Sequence, residues 1–299
     1  MTDALRVVLD CDTANEVDDQ FAIAYALGEP GKLDVLGVVS VHNTTAHGPE
    51  SLELYQEEAE KVVALCGKGG GVPCLRGAEY PMEDRAKPVR SEGMDFIASE
   101  LSRGPLTLIC TGPATDVASL ILTQPTESLA NLRVVWLGGF GDENTYKRHN
   151  NGGELNGRAD IAAWRVLLGS EVELLQVPGW SGPHEILVEA APFAAELRSL
   201  GKPAADYLAE ILLSWVSDYE GEIDPQGRKI IWDISCVAAL TDPGALSTAT
   251  LAVPEIDPAG AHDFSPASRE HRREIEAVRS LDAARILDGL RAALSELPG

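Results

Sequence analysis

The chain is short of positive charge: among 299 residues, 24 Lys and Arg stand against 47 Asp and Glu, a formal net charge of −23. A field of that sign opposes nonspecific attachment to phosphate backbones and anionic membranes, so neither nucleic acid nor a lipid surface is expected as a partner. Most of the acidic excess needs no role beyond solvated surface. The first residues, MTDALRVVLD, lack a basic segment followed by an apolar stretch, and no run elsewhere approaches the ~20 apolar residues of a membrane span. A cytoplasmic location is the expectation. Cysteine is also sparse: Cys11, Cys66, Cys74, Cys110 and Cys236 are odd in number and form no CxxC pair, which fits buried thiols rather than disulfides or zinc ligands. Nucleotide fingerprints are missing too. CGKGGG (66–71) lacks the order of a phosphate loop and reads as a helix stop and turn, GGFG (138–141) is not GxGxxG, and HEILV at 184 is not HExxH. With no internal repeat or low-complexity linker, one domain over 1–299 is expected.

Hydrophobic residues make up 44% of the chain, enough for a full core. Apolar, β-branched runs recur at 5–10, 33–41, 106–111, 132–139 and 172–178, separated by helical patterns such as FAIAYALG, SLELYQEEAEKVVALCG, GMDFIASELS, ATDVASLILTQ and ADIAAWRVLLG. Continuous apolar strands alternating with helices predict an α/β fold: a mainly parallel open sheet with helices on both faces. A long helix is predicted over 203–221, another helix or helix start in KIIWDISCVAALTDP, and a strand then a helix after 270. The charged, proline-containing stretch 78–95 reads as a long loop of the kind that is often a lid or disordered.

Ligands of open parallel sheets bind beyond the carboxyl ends of the strands. There the chain carries DCDTANEVDD, VHNTT, CTGPATD, and GGFGDEN leading to NNGGELNGRAD. The first is the most informative. Asp10 and Asp12 share a face by the period of two, and Asp18 and Asp19 open a helix. Capping accounts for one or two of these acids and leaves the others without a reason. A hard cation with oxygen ligands accounts for all four, whereas the lack of a nearby His, with Cys11 the one thiol in the stretch, argues against zinc. VVLDCDT also fits the DxDxT start of Mg²⁺-dependent haloacid dehalogenase-like phosphatases, with Thr111 and the pair Asp142/Glu143 available as further parts, but that reading gives Asp18 and Asp19 no task.

DCDTANEVDDQFAIAYAL resembles the opening signature of the inosine-uridine-preferring nucleoside hydrolases, DxDxGxDDAxA, with two extra residues before the acidic pair. The resemblance continues in family order through VVSVHNTT, CTGPATDVASLI, VVWLGGF, NGGELNGRADIAAW and IIWDISCVAAL. It implies a Rossmann-like nucleoside hydrolase fold and a Ca²⁺ held by Asp12, Asp19, the backbone carbonyl of Thr111 and Asp233. Asp10 would support these ligands from behind, and Asp18, Asn43, Glu154 and Asn156, together with Asp233, would contact the ribose. The implied activity is hydrolysis of the N-glycosidic bond of ribonucleosides, with Asp12 as proton acceptor for the attacking water. A homodimer or homotetramer is implied as well. A riboside-binding protein without catalysis is the remaining alternative.

Such a reaction builds positive charge on the sugar, which carboxylates and amides stabilise. The departing base also needs a proton, and many family members carry a His before the last metal-binding Asp. This chain has Trp232 there. In that respect it resembles the purine-specific branch, in which a Trp stacks on the base and raises its basicity. Trp232 is accordingly a candidate catalytic and base-contacting residue, with Tyr80 and Trp180 as candidates for a second aromatic wall. Of the scattered histidines only His184 is placed to reach a pocket.

Overall fold

The computed structural model describes residues 4–152, 154–218, 226–270 and 272–299. Twelve strands lie among them: β1 (Leu5–Cys11), β2 (Leu33–Ser40), β3 (Cys74–Arg76), β4 (Leu106–Cys110), β5 (Leu132–Leu137), β6 (Glu173–Val177), β7 (Leu187–Glu189), β8 (Arg228–Ile230), β9 (Leu246–Ala252), β10 (Glu255–Ile256), β11 (His262–Asp263) and β12 (Glu274–Leu281). Eight form one sheet in the order β3-β2-β1-β4-β5-β6-β12-β9. All neighbours in it run parallel except β9, which pairs antiparallel with β12.

The alternation within β1 shows why the sheet must be covered twice. Val7, Leu9 and Cys11 enter one apolar cluster with the helices Asp18–Leu27, Pro203–Asp218, Ile234–Thr241 and Ala283–Glu296. Val8 enters the other, which includes the helices Glu92–Leu101, Thr115–Thr123 and Ile161–Gly169. Every residue of Asp18–Leu27 is buried, because it packs against the helices Ser51–Leu65, Ile234–Thr241 and Ala283–Glu296. A helix wrapped on all sides need not be amphipathic, which explains the apolar FAIAYAL.

The chain leaves β1 toward β2 on one side and returns to pair β4 on its other side. The strand order therefore reverses beside β1, and the crevice outside the carboxyl ends of β1 and β4 is the natural ligand position of such a sheet. Asp10 lies in register with Cys110, and both Thr111 and Gly112 donate their N–H groups to the Asp10 carbonyl. The acids of the first loop are thereby fixed beside the TGPATD turn.

The five predicted sheet strands and the strand–helix tail are present, with ends shifted by a residue or more. The predicted long helix runs Pro203–Asp218, and the rest of it lies outside the described residues. The stretch 78–95 divides: a helix starts at Glu92, and the segment before it is pinned rather than loose. Ala78 N–H donates to Asp116 at 2.7 Å, Met82 N–H to Asp160 at 2.8 Å and Val89 N–H to Ser119 at 2.9 Å, while the Ser91 hydroxyl donates to Asp116. β9 was not anticipated; its Ser/Thr-rich LSTATLA has no apolar run to announce it and remains partly exposed at the sheet edge.

His262 packs among Phe140, Tyr146, Trp164 and Phe264, and burial lowers its pKa from 6.5 to about 4. Between those values the unfolded chain binds a proton that the folded one refuses, so this residue's contribution to stability is lost as pH falls through the window. His262→Phe should reduce the slope of unfolding free energy against pH between 4 and 6.5 by up to about one proton; denaturant melts across that range measure it.

Candidate functional site

A cleft of about 190 Å³ opens at the switch point, walled by Asp12, Asp18, Asp19, Thr111 and Asp233 on one side and by Gly139, Glu154 and Asn156 on another, with Trp180 and Trp232 at its edge. The structure thus gathers eight of the ten site residues singled out in the sequence, and Trp180 besides. Asp10 and Asn43 stand behind the wall: neither lines the cleft, and both are buried.

Asp12 follows β1 directly. Its Oδ2 accepts from Asn43 Nδ2 at 2.6 Å and from Asn15 Nδ2 at 2.9 Å. The Asn43 carbonyl oxygen accepts in turn from the Thr45 hydroxyl at 2.8 Å, which fixes the amide orientation. Asn43 therefore reaches the cleft through Asp12. Asp19 accepts from the Thr111 hydroxyl at 2.7 Å. Asp18, one position earlier on the same helix, accepts from the Trp232 backbone N–H at 3.2 Å, which links the first loop to the segment carrying Trp232 and Asp233.

Burial raises the pKa of every acid in this group. Asp18 is pushed to about 6, against the opposing pull of Lys229, and Asp19 to about 7, with repulsion from Asp18 adding to its burial. Asp12 and Asp233 are raised further, by burial first and then by Asp19 for Asp12, and by Asp18 and Asp19 for Asp233. Asp10 is raised by burial and by Asp116; its Oδ1 has no hydrogen-bond partner, and its Oδ2 receives only a 3.8 Å contact from the Cys110 thiol. Desolvated carboxylates that repel one another this way gain from a shared cation. Among the described residues, no three His, Cys, Asp or Glu side chains are already gathered as a metal-binding group. The donors nonetheless suit one kind of ion, since Asp12, Asp19, Asp233 and the Thr111 carbonyl are all hard oxygens.

The opposite wall is made by backbone as much as by side chains. Glu154 Oε1 accepts from the N–H groups of Gly139 and Gly157 at 3.0 and 2.9 Å, and these donors offset part of the rise that burial imposes on its pKa. Gly139 makes its bond at φ 73°, a left-handed conformation, with Gln176 against the position a side chain would take. Asn156 gives both amide protons to backbone carbonyls, Thr111 at 2.5 Å and Leu137 at 2.9 Å, so what it can offer a ligand is its oxygen.

Trp232 is half-buried and packs against Gly179, and Trp180 meets it edge-on with ring centroids 5.1 Å apart. His149 stacks flat on Trp180 at 4.0 Å, and His184 lies 5.9 Å from the same ring. Tyr80 is 51% exposed and does not line the cleft, nor does His184. Sequence reasoning missed Asn15, Glu16 and Lys229. The first two belong to the lengthened acidic loop, where their number was noticed but not their use. A lysine inside the apolar KIIW was the available signal for the third.

The structure is that of an α/β protein whose mainly parallel sheet carries a carboxylate-lined crevice with two tryptophans at its switch point. The chain belongs to the inosine-uridine preferring nucleoside hydrolase family, whose model matches residues 7–288. Among characterised relatives, the pyrimidine-specific ribonucleoside hydrolase RihA of Salmonella arizonae is 25% identical over 233 residues, covering 70% of each chain. Solved structures with the same fold include a purine-preferring ribonucleoside hydrolase from Gardnerella vaginalis, with TM-score 0.79, 20% identity and coverage of 97% of this chain and 98% of that one. Another is an inosine-uridine preferring nucleoside hydrolase from Bacillus anthracis, with TM-score 0.73, 16% identity and coverage of 98% and 100%.

The family signature places a glycine where this chain has Ala14. Ala14 keeps a left-handed backbone, φ 81°, the only non-glycine residue to do so among those described. A side chain in that conformation costs about 1–2 kcal/mol. Ala14→Gly should therefore raise stability by about 1 kcal/mol, less whatever freedom glycine adds to the unfolded chain; the shift of the urea midpoint at constant slope measures it.

Proposed function

We propose that the protein hydrolyses the N-glycosidic bond of ribonucleosides, preferring purine bases, with a Ca²⁺ held by Asp12, Asp19, Asp233 and the Thr111 carbonyl. The observation that carries this reading is the joining, in one cleft, of five buried carboxylates with the half-buried ring of Trp232. A sugar whose hydroxyl groups meet Asp18, Asp233, Glu154 and the Asn156 oxygen would have its attached base directed to Trp232 and Trp180.

A divalent cation held by these oxygens would lower the pKa of a water molecule and so supply the nucleophile. Asp12, whose orientation Asn43 and Asn15 fix, is the carboxylate that would accept the water's proton. The ring of carboxylates stabilises the positive charge that develops on the ribose as the bond to the base lengthens. Asp10, buried behind Asp12, supports the ligand wall from behind without touching the sugar.

Trp232 contributes at the other end. Stacking against a purine favours the protonated base and therefore its departure, and the corner formed with Trp180 offers area that a bicyclic ring fills better than a single ring. The RihA relatives are pyrimidine-specific and the G. vaginalis structure is of a purine-preferring enzyme, so base preference is the part of this proposal that rests on the aromatic corner alone.

Release of free base and reducing sugar from inosine, adenosine, guanosine, uridine and cytidine, with Ca²⁺ and after chelation, tests the reading. Purine-selective, Ca²⁺-dependent release is expected, and Asp12→Asn should abolish it. Release from pyrimidines alone would reverse the assigned preference; release from none, with Mg²⁺-dependent hydrolysis of phosphate esters, would favour the phosphatase reading. Trp232→Ala should reduce turnover of inosine about tenfold more than that of a nitrophenyl riboside, whose leaving group needs no proton, in line with the ~1–3 kcal/mol of a base–aromatic stack. Equal losses on the two substrates would remove the stacking role.

A further inference from the structure

Lys229 lies on β8 with its side chain 2% exposed, an uncommon position for an ammonium. Its Nζ bonds the Glu16 carboxylate, donates to the Ile230 carbonyl at 2.8 Å and stands 3.6 Å from Asp18 Oδ1, under the Trp215 ring at 4.8 Å. Among the described residues, these are the only ion pairs made by an acid of the cleft. Lys229 itself does not line the cleft, whereas Glu16 and Asp18 do.

We propose that Lys229 is a positioning residue of the riboside site: with Glu16 as its second partner, it holds Asp18 on the cleft wall and acts on the substrate only through Asp18. The proposal rests on the reading of Asp18 as a sugar contact. Asp18 is claimed from two directions, Oδ2 by the Trp232 N–H and Oδ1 by Lys229. A carboxylate so held cannot turn, yet it keeps lone pairs for a hydroxyl group. Burial works against the Lys229 charge, but Asp18 and Glu16 outweigh it and hold the ammonium above its ordinary pKa, so it stays charged. Asp18 sits beside Asp19, the two repel each other, and Lys229 offsets that repulsion at Asp18.

The device depends on the lengthened loop. Glu16 belongs to the stretch TANEV that is two residues longer than the family signature, and the extra length lets it reach Lys229 on β8. Asn15, its neighbour, reaches back to Asp12 at 2.9 Å. One short turn thus holds Asp12 directly through Asn15 and is tied through Glu16 to Lys229, which stands beside Asp18. Trp232 and Asp233 follow Lys229 within four residues, so the same anchor sets the distance between the sugar contacts and the aromatic wall.

A double-mutant cycle separates positioning from a purely structural strut. kcat and KM are measured for the most rapidly cleaved nucleoside in the wild type, Lys229→Met, Lys229→Arg, Asp18→Asn and Asp18→Asn/Lys229→Met, with melting temperatures alongside. Lys229→Met should lower kcat/KM on the order of 30-fold, as expected when a buried charge loses its partner. Lys229→Arg, which keeps the charge, should restore most of that loss. In the Asp18→Asn background, Lys229→Met should cost less than about threefold more, because its route to the substrate is already gone. Where Lys229→Met alone folds poorly, Asp18→Asn/Lys229→Met, which leaves no Asp18 carboxylate unpaired, is compared with Asp18→Asn alone, and a further loss well beyond threefold in a folded double variant overturns the proposal. Equal losses from Lys229→Met in both backgrounds would overturn the proposal, as would an unchanged kcat/KM in a folded Lys229→Met. A wild type that cleaves no nucleoside would instead remove the functional reading on which the proposal stands.

Discussion

The structure is organised around a repulsion. Asp10, Asp12, Asp18, Asp19 and Asp233 are all brought out of water at the carboxyl end of β1; burial makes every one harder to ionise, and repulsion from Asp18 and Asp19 adds to it for several of them. Nothing in the core requires this arrangement, since the apolar clusters on the two faces of the sheet would close equally well over neutral side chains. The surrounding parts serve to hold the acids against their mutual dislike. Asn43 and Asn15 fix Asp12, the Thr111 hydroxyl fixes Asp19, and Lys229 with the Trp232 N–H fixes Asp18. A chain that maintains so unfavourable a cluster has a use for concentrated negative charge, and a cation together with an electron-poor sugar is such a use.

Much of this was legible in the sequence because it lies in local pattern. Apolar runs of strand length alternating with helical periods specify a parallel sheet, and the sheet's own geometry then says which ends of the strands matter. The acids announced themselves by density, and Glu154, Asn156 and Asp233 by their order within a longer resemblance. What stayed hidden depends on distance in space. The pairing of Glu16 with Lys229 joins positions 213 apart, and no period or spacing encodes it. The stack of His149 on Trp180 joins a helix end to the loop after β6 in the same way. Strand β9 escaped notice for a different reason: an edge strand with one half-exposed face needs little hydrophobic content, so it leaves little trace.

The segment before Glu92 shows a third kind of limit. Its charges and prolines read correctly as irregular backbone, but composition is silent about anchoring. The buried carboxylates of Asp116 and Asp160 supply the anchors by accepting its backbone N–H groups, and the first of these belongs to the TGPATD stretch whose threonine faces the cleft. One motif therefore orders both an active-site wall and a loop that contributes nothing to the cleft lining.

The two bonds given by Asn156 carry a consequence for how this cleft is interrogated. Its amide stitches the carbonyl ends of β4 and β5 together, and the Thr111 carbonyl it grips is also one of the oxygens assigned to the cation. Under the proposed function, sugar recognition and ion affinity would be mechanically one property, joined through a single carboxamide. A substitution at this position would loosen a seam between strands before it removed any contact with a ligand. Asp18 and Glu154 offer cleaner handles on the proposed sugar contacts, since neither bonds the Thr111 carbonyl.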